Sequence, residues 1–541
     1  MLRKRSDEIT GLDQILPTNG PRSWISVGRS LVTFFHPLMS HLLPTISACF
    51  LVFAGISSGA APSSSRPNII LVVADGIGYS DLGCYGGEAQ TPYLDYLASH
   101  GARCSQAYSA GDGPATRSVL LSGYYPQHIG DGVLNSGRML PACLKTAGYR
   151  CYHAGQWDFA LDPRNAGFDH FYASMPQPHG SPVRLWTRDG QPEMKTKAKD
   201  AAAFDDGASG LVDFLQEHHT QNSAQPFFVY AAIDVMDCVA PLAKEEMDAH
   251  ANKFAEGSEV LRQGRLERLW EGGLAVHAEL STPAKATVGW SAMNGDERKR
   301  FQQAMAVRSA AIARMDRAIG RVLEQVKGMG AWNQTIVLFT SGSGAGVNFE
   351  MASNAIGAGA SPADNWVAHI ASVANTPFRF GGGTVFEGGI AVPLIAHWPA
   401  GVKSKDGLRE QAIHSVDFTP TILKLAGAQW PKKSGDRENP PADGLDAGPA
   451  LLENKPIGNR ALWWQTGVDR AFRLGDWKWL ETKDKTQELY YLRADRSESR
   501  DLAPANHERC KEMELQWGKM LARFKKDTLE PAAPQEKAGS Q

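Results

Sequence analysis

An excess of charge of either sign is absent from this 541-residue chain, in which 56 Lys and Arg face 58 Asp and Glu for a formal net charge of -2. A balance this even supplies no long-range pull toward nucleic acid or an anionic membrane, so no nucleic-acid partner is expected. Closely paired cysteines are absent as well. The seven cysteines lie scattered with no Cys-x-x-Cys spacing, which argues against a zinc site. No internal repeat is visible. What remains is the composition of an ordinary globular protein, long enough for a large core and more than one domain.

What the chain does have begins at its amino terminus. Arg3, Lys4, Arg5, Arg22 and Arg29 precede an apolar stretch from Leu31 to Ile56, followed by the small residues Ser57, Ser58, Gly59, Ala60 and Ala61. Basic, apolar and small residues in that order form an export signal, so residues 1–61 are expected to be cleaved near Ala60. The stretch is long enough to span a bilayer, which leaves a retained anchor as the alternative. His36, Pro37, His41 and Pro44 interrupt it, however, and only Thr45 to Ile56 is cleanly apolar. Ile46-Ser47-Ala48-Cys49 also fits a lipoprotein box, but the apolar run continues past Cys49. After cleavage no stable membrane span is expected, and the destination is periplasmic, cell-surface or extracellular. In that oxidising setting Cys84, Cys104, Cys143, Cys151, Cys238 and Cys510 either pair or stay as buried thiols.

Arg66-Pro67 opens the folded part. Asn68 to Ala74 is a continuous apolar run, the mark of a strand covered on both faces. Thr91-Pro92 starts a helix that Gly101 ends, and a helix over Leu140–Ala147 stops at Gly148 before a strand over Tyr149–Ala154. Phe227–Ile233 and Thr335–Thr340 read as further buried strands. Between them Ile312, Met315, Ile319, Val322 and Val326 recur at helical spacing and are assigned to core packing. Strands alternating with helices predict an α/β domain over residues 66–430, with a large mixed, mostly parallel sheet flanked by helices. Residues 431–446, rich in Pro, Lys, Asp and Gly, read as a loop or linker. Strands are then expected at Ala461–Trp464, Arg470–Leu474, Trp477–Glu481 and Glu488–Leu492, with Gly475-Asp476 as a hairpin turn. A last helix carries Met513, Trp517, Met520 and Phe524 on one face. Residues 447–527 are thus a small α+β subdomain with a four-stranded antiparallel sheet, and 530–541 a disordered tail.

Several strings in this order resemble the sulfatases of the alkaline phosphatase superfamily, over about Arg66 to Phe524. They are Arg66-Pro67-Asn68-Ile69-Ile70, Asp81-Leu82-Gly83-Cys84-Tyr85-Gly86-Gly87, Thr384-Val385-Phe386-Glu387-Gly388-Gly389-Ile390 with Val392-Pro393, and Asp417-Phe418-Thr419-Pro420-Thr421. Gly475-Asp476-Trp477-Lys478 and Glu488-Leu489-Tyr490 complete the set. Any one could arise by chance; the ordered set could not. Arg117 and Leu120-Leu121-Ser122-Gly123 are similar to the family's active-site signature, Cys/Ser-x-Pro-x-Arg followed by two residues and Leu-Leu-Thr/Ser-Gly. In that family the Cys or Ser becomes a formylglycine, whose hydrated aldehyde attacks sulfur. Here that position falls on Gly113 and the motif proline on Ala115. Glycine has no side-chain carbon to oxidise.

The resemblance implies further losses. The family's calcium ion wants about six oxygen ligands, largely from carboxylates. Its adjacent aspartates read Asp75-Gly76 here, and its Asp-Asn pair reads Gly342-Ser343, so bound calcium is expected to be lost with only Asp75 left. Asp75 itself is expected to cap a turn at the strand end. The family's Gly-Lys-Trp-His is Gly155-Gln156-Trp157-Asp158, the histidine of its Pro-His pair aligns with Asp237, and the lysine of Arg-Gly-Gly-Lys-Gly aligns with Gly382. With Gln156, Asp158, Asp237 and Gly382 in place, the groups that hold sulfate and carry protons are gone. Arg117 is retained, and pairing with a carboxylate is its expected role. Two lost lysines and two neutral histidines replaced by aspartates, offset by two lost aspartates and compounded by the lost calcium, shift the pocket by about -4 where a developing anion would need stabilising.

The residues leave two alternatives. Thr116 could be a displaced hydroxyl nucleophile, but such enzymes need two metals that the matching positions do not supply. Asp112, Asp158 and Asp237 could form a new acid-base cluster, against the plainer reading of acids lining a dead cleft. The sequence therefore predicts a pseudoenzyme with no cofactor that recognises a saccharide or an active relative. A hydrolase of unusual mechanism acting on sulfate or phosphate esters, and a structural envelope component, are the alternatives. Trp157 is a candidate for stacking a sugar at the rim, against a place in the core.

Overall fold

The structure is a computed structural model that describes residues 66–133, 138–175, 185–192, 203–235, 244–275, 278–281, 289–346, 364–402, 407–434 and 437–527. The amino-terminal segment 1–61, Asp237, Cys238 and the tail 530–541 lie outside the described residues. Residues 62–541 cluster into one compact unit.

Asn68–Asp75 runs through the middle of a ten-stranded sheet, paired in parallel with Phe227–Asp234 on one side and Thr335–Ser341 on the other. Phe227–Asp234 is followed outward by Arg150–Gln156 and His170–Met175, both parallel, and then by the antiparallel Leu185–Arg188 and Gln191–Pro192. Beyond Thr335–Ser341 lie the antiparallel Leu394–His397, then Ala102–Cys104 and Leu408–Arg409. This is the large mixed, mostly parallel sheet that the sequence predicts.

The central strand shows why its apolar run is continuous. Ile70, Val72 and Ala74 enter one hydrophobic cluster, which holds Leu211, Phe214 and Leu215 of the helix Ala203–Gln221 and Ile312, Met315, Ile319, Val322 and Val326 of the helix Gly295–Gly328. Ile69, Leu71 and Val73 enter a second cluster on the other face, against Leu140 and Leu144 of Leu140–Thr146 and Ile422 and Leu423 of Phe418–Ala426. Each fully buried aliphatic side chain contributes about 1.5–3 kcal/mol, so a period-two apolar pattern would leave one face without a core. The helix Gly295–Gly328 is longer than its apolar stripe suggests because Asn294 starts it with a capping box. Glu297 N–H donates to the Asn294 side chain at 2.9 Å, and the Asn294 N–H to the Glu297 carboxylate at 2.9 Å.

A separate four-stranded antiparallel sheet is built from Ala461–Thr466, Asp469–Leu474, Trp477–Glu481 and Gln487–Tyr491. The helix His507–Asp527 buries Met513, Trp517 and Phe524 against it, with Trp463 and Trp517 stacked at 5.1 Å. A fully buried ion cluster ties this sheet to the main body. Lys478 Nζ contacts Glu387 at 3.1 Å and Glu498 at 2.7 Å, and the Tyr108 hydroxyl donates to Glu387 at 3.0 Å. Burial opposes ionisation of Glu387, but Lys478, Arg496 and Arg473 outweigh it and hold its pKa below the ordinary carboxylate value.

Within 431–446, Lys433–Ser434 pairs with Arg437–Glu438, and Asp443 accepts from Tyr125 N–H at 3.0 Å and from Arg523 at 2.6 Å. Cys84, Cys104, Cys143, Cys151 and Cys510 are free thiols. Burial pushes Cys104 and Cys143 up to about 12, so neither supplies a thiolate near neutrality. Among the described residues no helix is long and apolar enough to cross a membrane.

Candidate functional site

The carboxyl ends of the parallel strands gather most of the sequence candidates. Asp75 ends the central strand opposite Asp234 of its neighbour. On the other side Ala74 pairs with Ser341, so Gly342 and Ser343 follow at the same edge. Gln156 ends the strand beyond Asp234 and donates through Nε2 to its carboxylate at 3.0 Å. In an open α/β sheet this is the edge that receives ligands.

The helix Gly113–Ser122 sits over this edge. Asp112 is its N-cap, with an extended backbone and a side chain accepting from Ala115 N–H at 2.8 Å, and Pro114 occupies the first turn. Burial raises the Asp112 pKa, as does the charge of Asp158, against the Ala115 hydrogen bond. Arg117, one turn in and 2% exposed, forms an ion pair with Asp75 through Nη1. It grips Asp158 through Nη2 at 2.5 Å and Nε at 2.6 Å. Asp75 is therefore not the turn cap expected from the sequence: its carboxylate turns inward to an arginine, because a buried guanidinium demands a counter-charge.

The tightest constraint is the fit of that carboxylate. A Cβ placed on Gly113 would stand 2.6 Å from the Asp75 Cγ, with both carboxylate oxygens also inside 3.0 Å. A Cβ placed on Gly342 would stand 3.0 Å from the same Cγ and 3.1 Å from the Gly113 Cα. Asp75 is thus wedged between two glycines, in the space that side chains at 113 and 342 would take. Its Oδ1 is buried and has no hydrogen-bond partner. Gly382 is closed off in the same way: a Cβ there would meet the Gly344 carbonyl at 2.5 Å and the Ser343 Oγ at 3.1 Å. Ser343 Oγ donates to the Gly344 carbonyl at 3.0 Å. Gly76 has a φ of 78° with open space around it, and its carbonyl accepts from Arg308. Among the described residues no group of three or more His, Cys, Asp or Glu stands where it could hold a metal ion.

Two other sequence candidates are placed elsewhere than a reacting centre. Thr116 is fully buried, and its hydroxyl accepts from Ala110 N–H at 2.9 Å. Trp157 is fully buried, its indole N–H donating to the Leu161 carbonyl at 2.6 Å and its ring 4.6 Å from Phe159, so it is core and presents no rim surface to a sugar. Asp112 and Asp158 are committed to a cap and an ion pair. Asp237, the third member of the suggested acid cluster, lies outside the described residues.

Three residues near the site were not singled out from the sequence. Asp234 adds a carboxylate beside Asp75; as the first charged residue after the Phe227–Ile233 apolar run, it was marked by the rule that strand ends carry chemistry. His153 and Tyr230 lie buried beside the Arg117–Asp158 pair. Burial lowers His153 to about 4, with Arg117 adding to it against the Tyr230 carbonyl and Asp158, so the ring is neutral near pH 7. Burial raises Tyr230, and Asp158 adds to this against Arg117.

The sequence and the fold match known proteins. The model of the Sulfatase family matches residues 67–428. The chain belongs to the sulfatase family. An uncharacterised sulfatase of Schizosaccharomyces pombe is 26% identical to this sulfatase-family chain over 84% of it and 93% of the relative. The N-acetylgalactosamine-6-sulfatase of Rattus norvegicus is 28% identical over 81% of the chain and 74% of the relative. The crystal structure of Ps i-CgsB superposes with a TM-score of 0.61 at 22% identity, over 87% of this chain and 95% of that one. The same protein has been solved in complex with k-i-k-neocarrahexaose.

Proposed function

We propose that this sulfatase-family chain has lost sulfate-ester hydrolysis and acts by recognition, as an exported pseudoenzyme. The observation that carries the reading is Asp75, whose carboxylate is paired to Arg117 and fills the space between Gly113 and Gly342. A nucleophile cannot be carried by Gly113, and the retained arginine is already neutralised by two carboxylates. Asp75, Asp112, Asp158 and Asp234 against Arg117 leave the centre anionic, the wrong sign for a developing sulfate anion. The donors do not fit calcium either. Asp75 is committed to a cation, and Gly76, Gly342 and Ser343 offer no carboxylate, where the ion needs six to eight oxygens. Unassisted sulfate-ester cleavage of this kind is extremely slow, and a buried, neutralised arginine does not replace the missing parts.

A saccharide is the favoured ligand class over an active sulfatase relative. The names of relatives point to amino-sugar sulfates, and a protein of the same fold has been solved with an oligosaccharide. The reading is tested by sulfate release from 4-nitrophenyl sulfate and from sulfated galactosaminoglycan, compared with the Arg117→Ala variant. Equal release by both proteins at the background rate is expected. Release well above background that Arg117→Ala abolishes would show a working hydrolase and overturn it.

A further inference from the structure

The loop that carries Gly382 presents an aromatic side chain that the core does not require. Phe380 is 41% exposed although its φ is 59°, a left-handed conformation that bulky side chains rarely adopt. Its backbone is held on several sides. The Phe380 carbonyl accepts from Asn375 Nδ2 at 3.1 Å, and the preceding Arg379 carbonyl from Gly388 N–H at 3.1 Å. Its ring stacks on Phe386 with centroids 4.4 Å apart and an interplanar angle of 30°. Arg379 lies 4.4 Å from the Phe386 centroid and is anchored in turn by the Tyr490 hydroxyl at 2.7 Å. One face of Phe380 is therefore backed by a second ring, while much of its surface remains open to solvent.

The same loop reaches the degenerate centre. Gly383 N–H donates to the Gly111 carbonyl at 3.0 Å, which joins the Phe380 loop to the Gly111–Asp112 turn at the head of the Gly113–Ser122 helix. Gly383 and Pro114 are exposed there and Asp112 is half-buried. Arg379, 5.5 Å from the Phe380 centroid, is already paired with Glu488, and an exposed, rigidly backed aromatic face suits a ring with apolar C–H faces and hydroxyl donors.

We propose that Phe380 is a stacking platform for a neutral pyranose ring at the mouth of the degenerate centre, which makes it the specificity-determining residue for saccharide recognition. This rests on the saccharide-recognition reading above. Stacking commits the face of the sugar, and Asp112, whose Oδ1 is taken by the Ala115 cap bond, accepts a hydroxyl through Oδ2. A sulfate group contributes nothing to this contact, so its presence on the ligand is not required.

The test is affinity electrophoresis through gels carrying desulfated carrageenan, galactan, mannan or xylan, with sulfated carrageenan as the charged control. Retardation by at least one neutral polysaccharide is expected. It should fall at least tenfold in Phe380→Ala, corresponding to about 1.4 kcal/mol, and persist in Phe380→Trp. Phe380→Gly, which suits the left-handed backbone, should lose retardation while melting no lower than the wild type. A Phe380→Gly variant that melts several degrees lower would assign the side chain to packing and overturn the proposal. Undiminished retardation of Phe380→Ala would refute the stacking platform and leave saccharide recognition standing. Absence of retardation by every neutral polysaccharide would refute both, as would more than a hundredfold preference for the sulfated gel.

Discussion

Adding one methyl group at Gly113 sets the wedged Asp75 carboxylate against ordinary helix energetics. Gly113 is the first residue of its helix and does not hold a left-handed φ. Helix propensity and unfolded-state entropy then favour Ala, by about 0.4–1 kcal/mol. The wedged carboxylate reverses that sign. A Cβ 2.6 Å from the Asp75 Cγ must displace it, and its Oδ1 cannot retreat because the Gly342 backbone stands behind it. Overpacking of this kind costs about 1–3 kcal/mol. For a compact unit of about 480 residues, an unfolding entropy of ~2.1 cal/mol/K per residue gives roughly 1 kcal/mol per kelvin. Net of the gain of about 0.4–1 kcal/mol, Gly113→Ala should therefore lower the melting temperature by up to about 2.6 °C in scanning calorimetry at a fixed scan rate. Combined with Asp75→Ala, the penalty should vanish, leaving a coupling of about 1–3 kcal/mol between the two sites. An unchanged or raised melting temperature for Gly113→Ala, with additive effects in the double variant, would refute the wedge.

Calcium should leave the melting temperature unmoved, since an ion at 100 times its dissociation constant would add about 2.7 kcal/mol; a calcium-dependent rise abolished by Asp75→Ala contradicts this. Gly113→Cys with Ala115→Pro, expressed with the formylglycine-forming system, should release no more aryl sulfate than Gly113→Ala, because parts that act as one unit are not restored singly. Substantial turnover would mean that Asp75 yields its place readily. Asp316, which accepts N–H bonds from Tyr93 at 3.1 Å and Leu94 at 2.8 Å, gives a pH test. Burial pushes its carboxyl up from 3.8 to about 7 against those two bonds. The folded state then binds a proton that the unfolded state has released, so the contribution of Asp316 is full below about pH 4 and is lost as pH rises through about 7. The melting temperature of Asp316→Asn should fall less than that of the wild type between pH 5 and 8; parallel pH profiles would refute the assignment.

Much of the fold was legible because it rests on one-dimensional patterns. The run Asn68–Ala74 announces a two-sided strand, and Gly475-Asp476 the turn between two strands that pair as expected. The helices Ala203–Gln221 and Ser258–Glu271 were not assigned, since their apolar positions are diluted by polar residues that other helices cover. The first half of Gly295–Gly328 was missed although the Asn294/Glu297 capping box marks its start. At the site, the motifs point to Gly113, Gln156 and Gly382, but not to what stands between Gly113 and Gly342. The inward turn of Asp75 depends on the register of three strands against a helix start, and no local spacing encodes it. Trp157 takes the core place that the sequence weighed against a rim surface, and adjacency in sequence to Asp158 alone does not say which side of the strand end a ring occupies.

The most direct test of the central claim is the position of the Asp75 carboxylate in a crystal structure determined with calcium and sulfate in the mother liquor. The carboxylate is expected to stay on Arg117 between Gly113 and Gly342, with neither ion at the strand ends. A calcium ion bound by Asp75, with the carboxylate withdrawn from Arg117 and sulfate in its place, would contradict the claim.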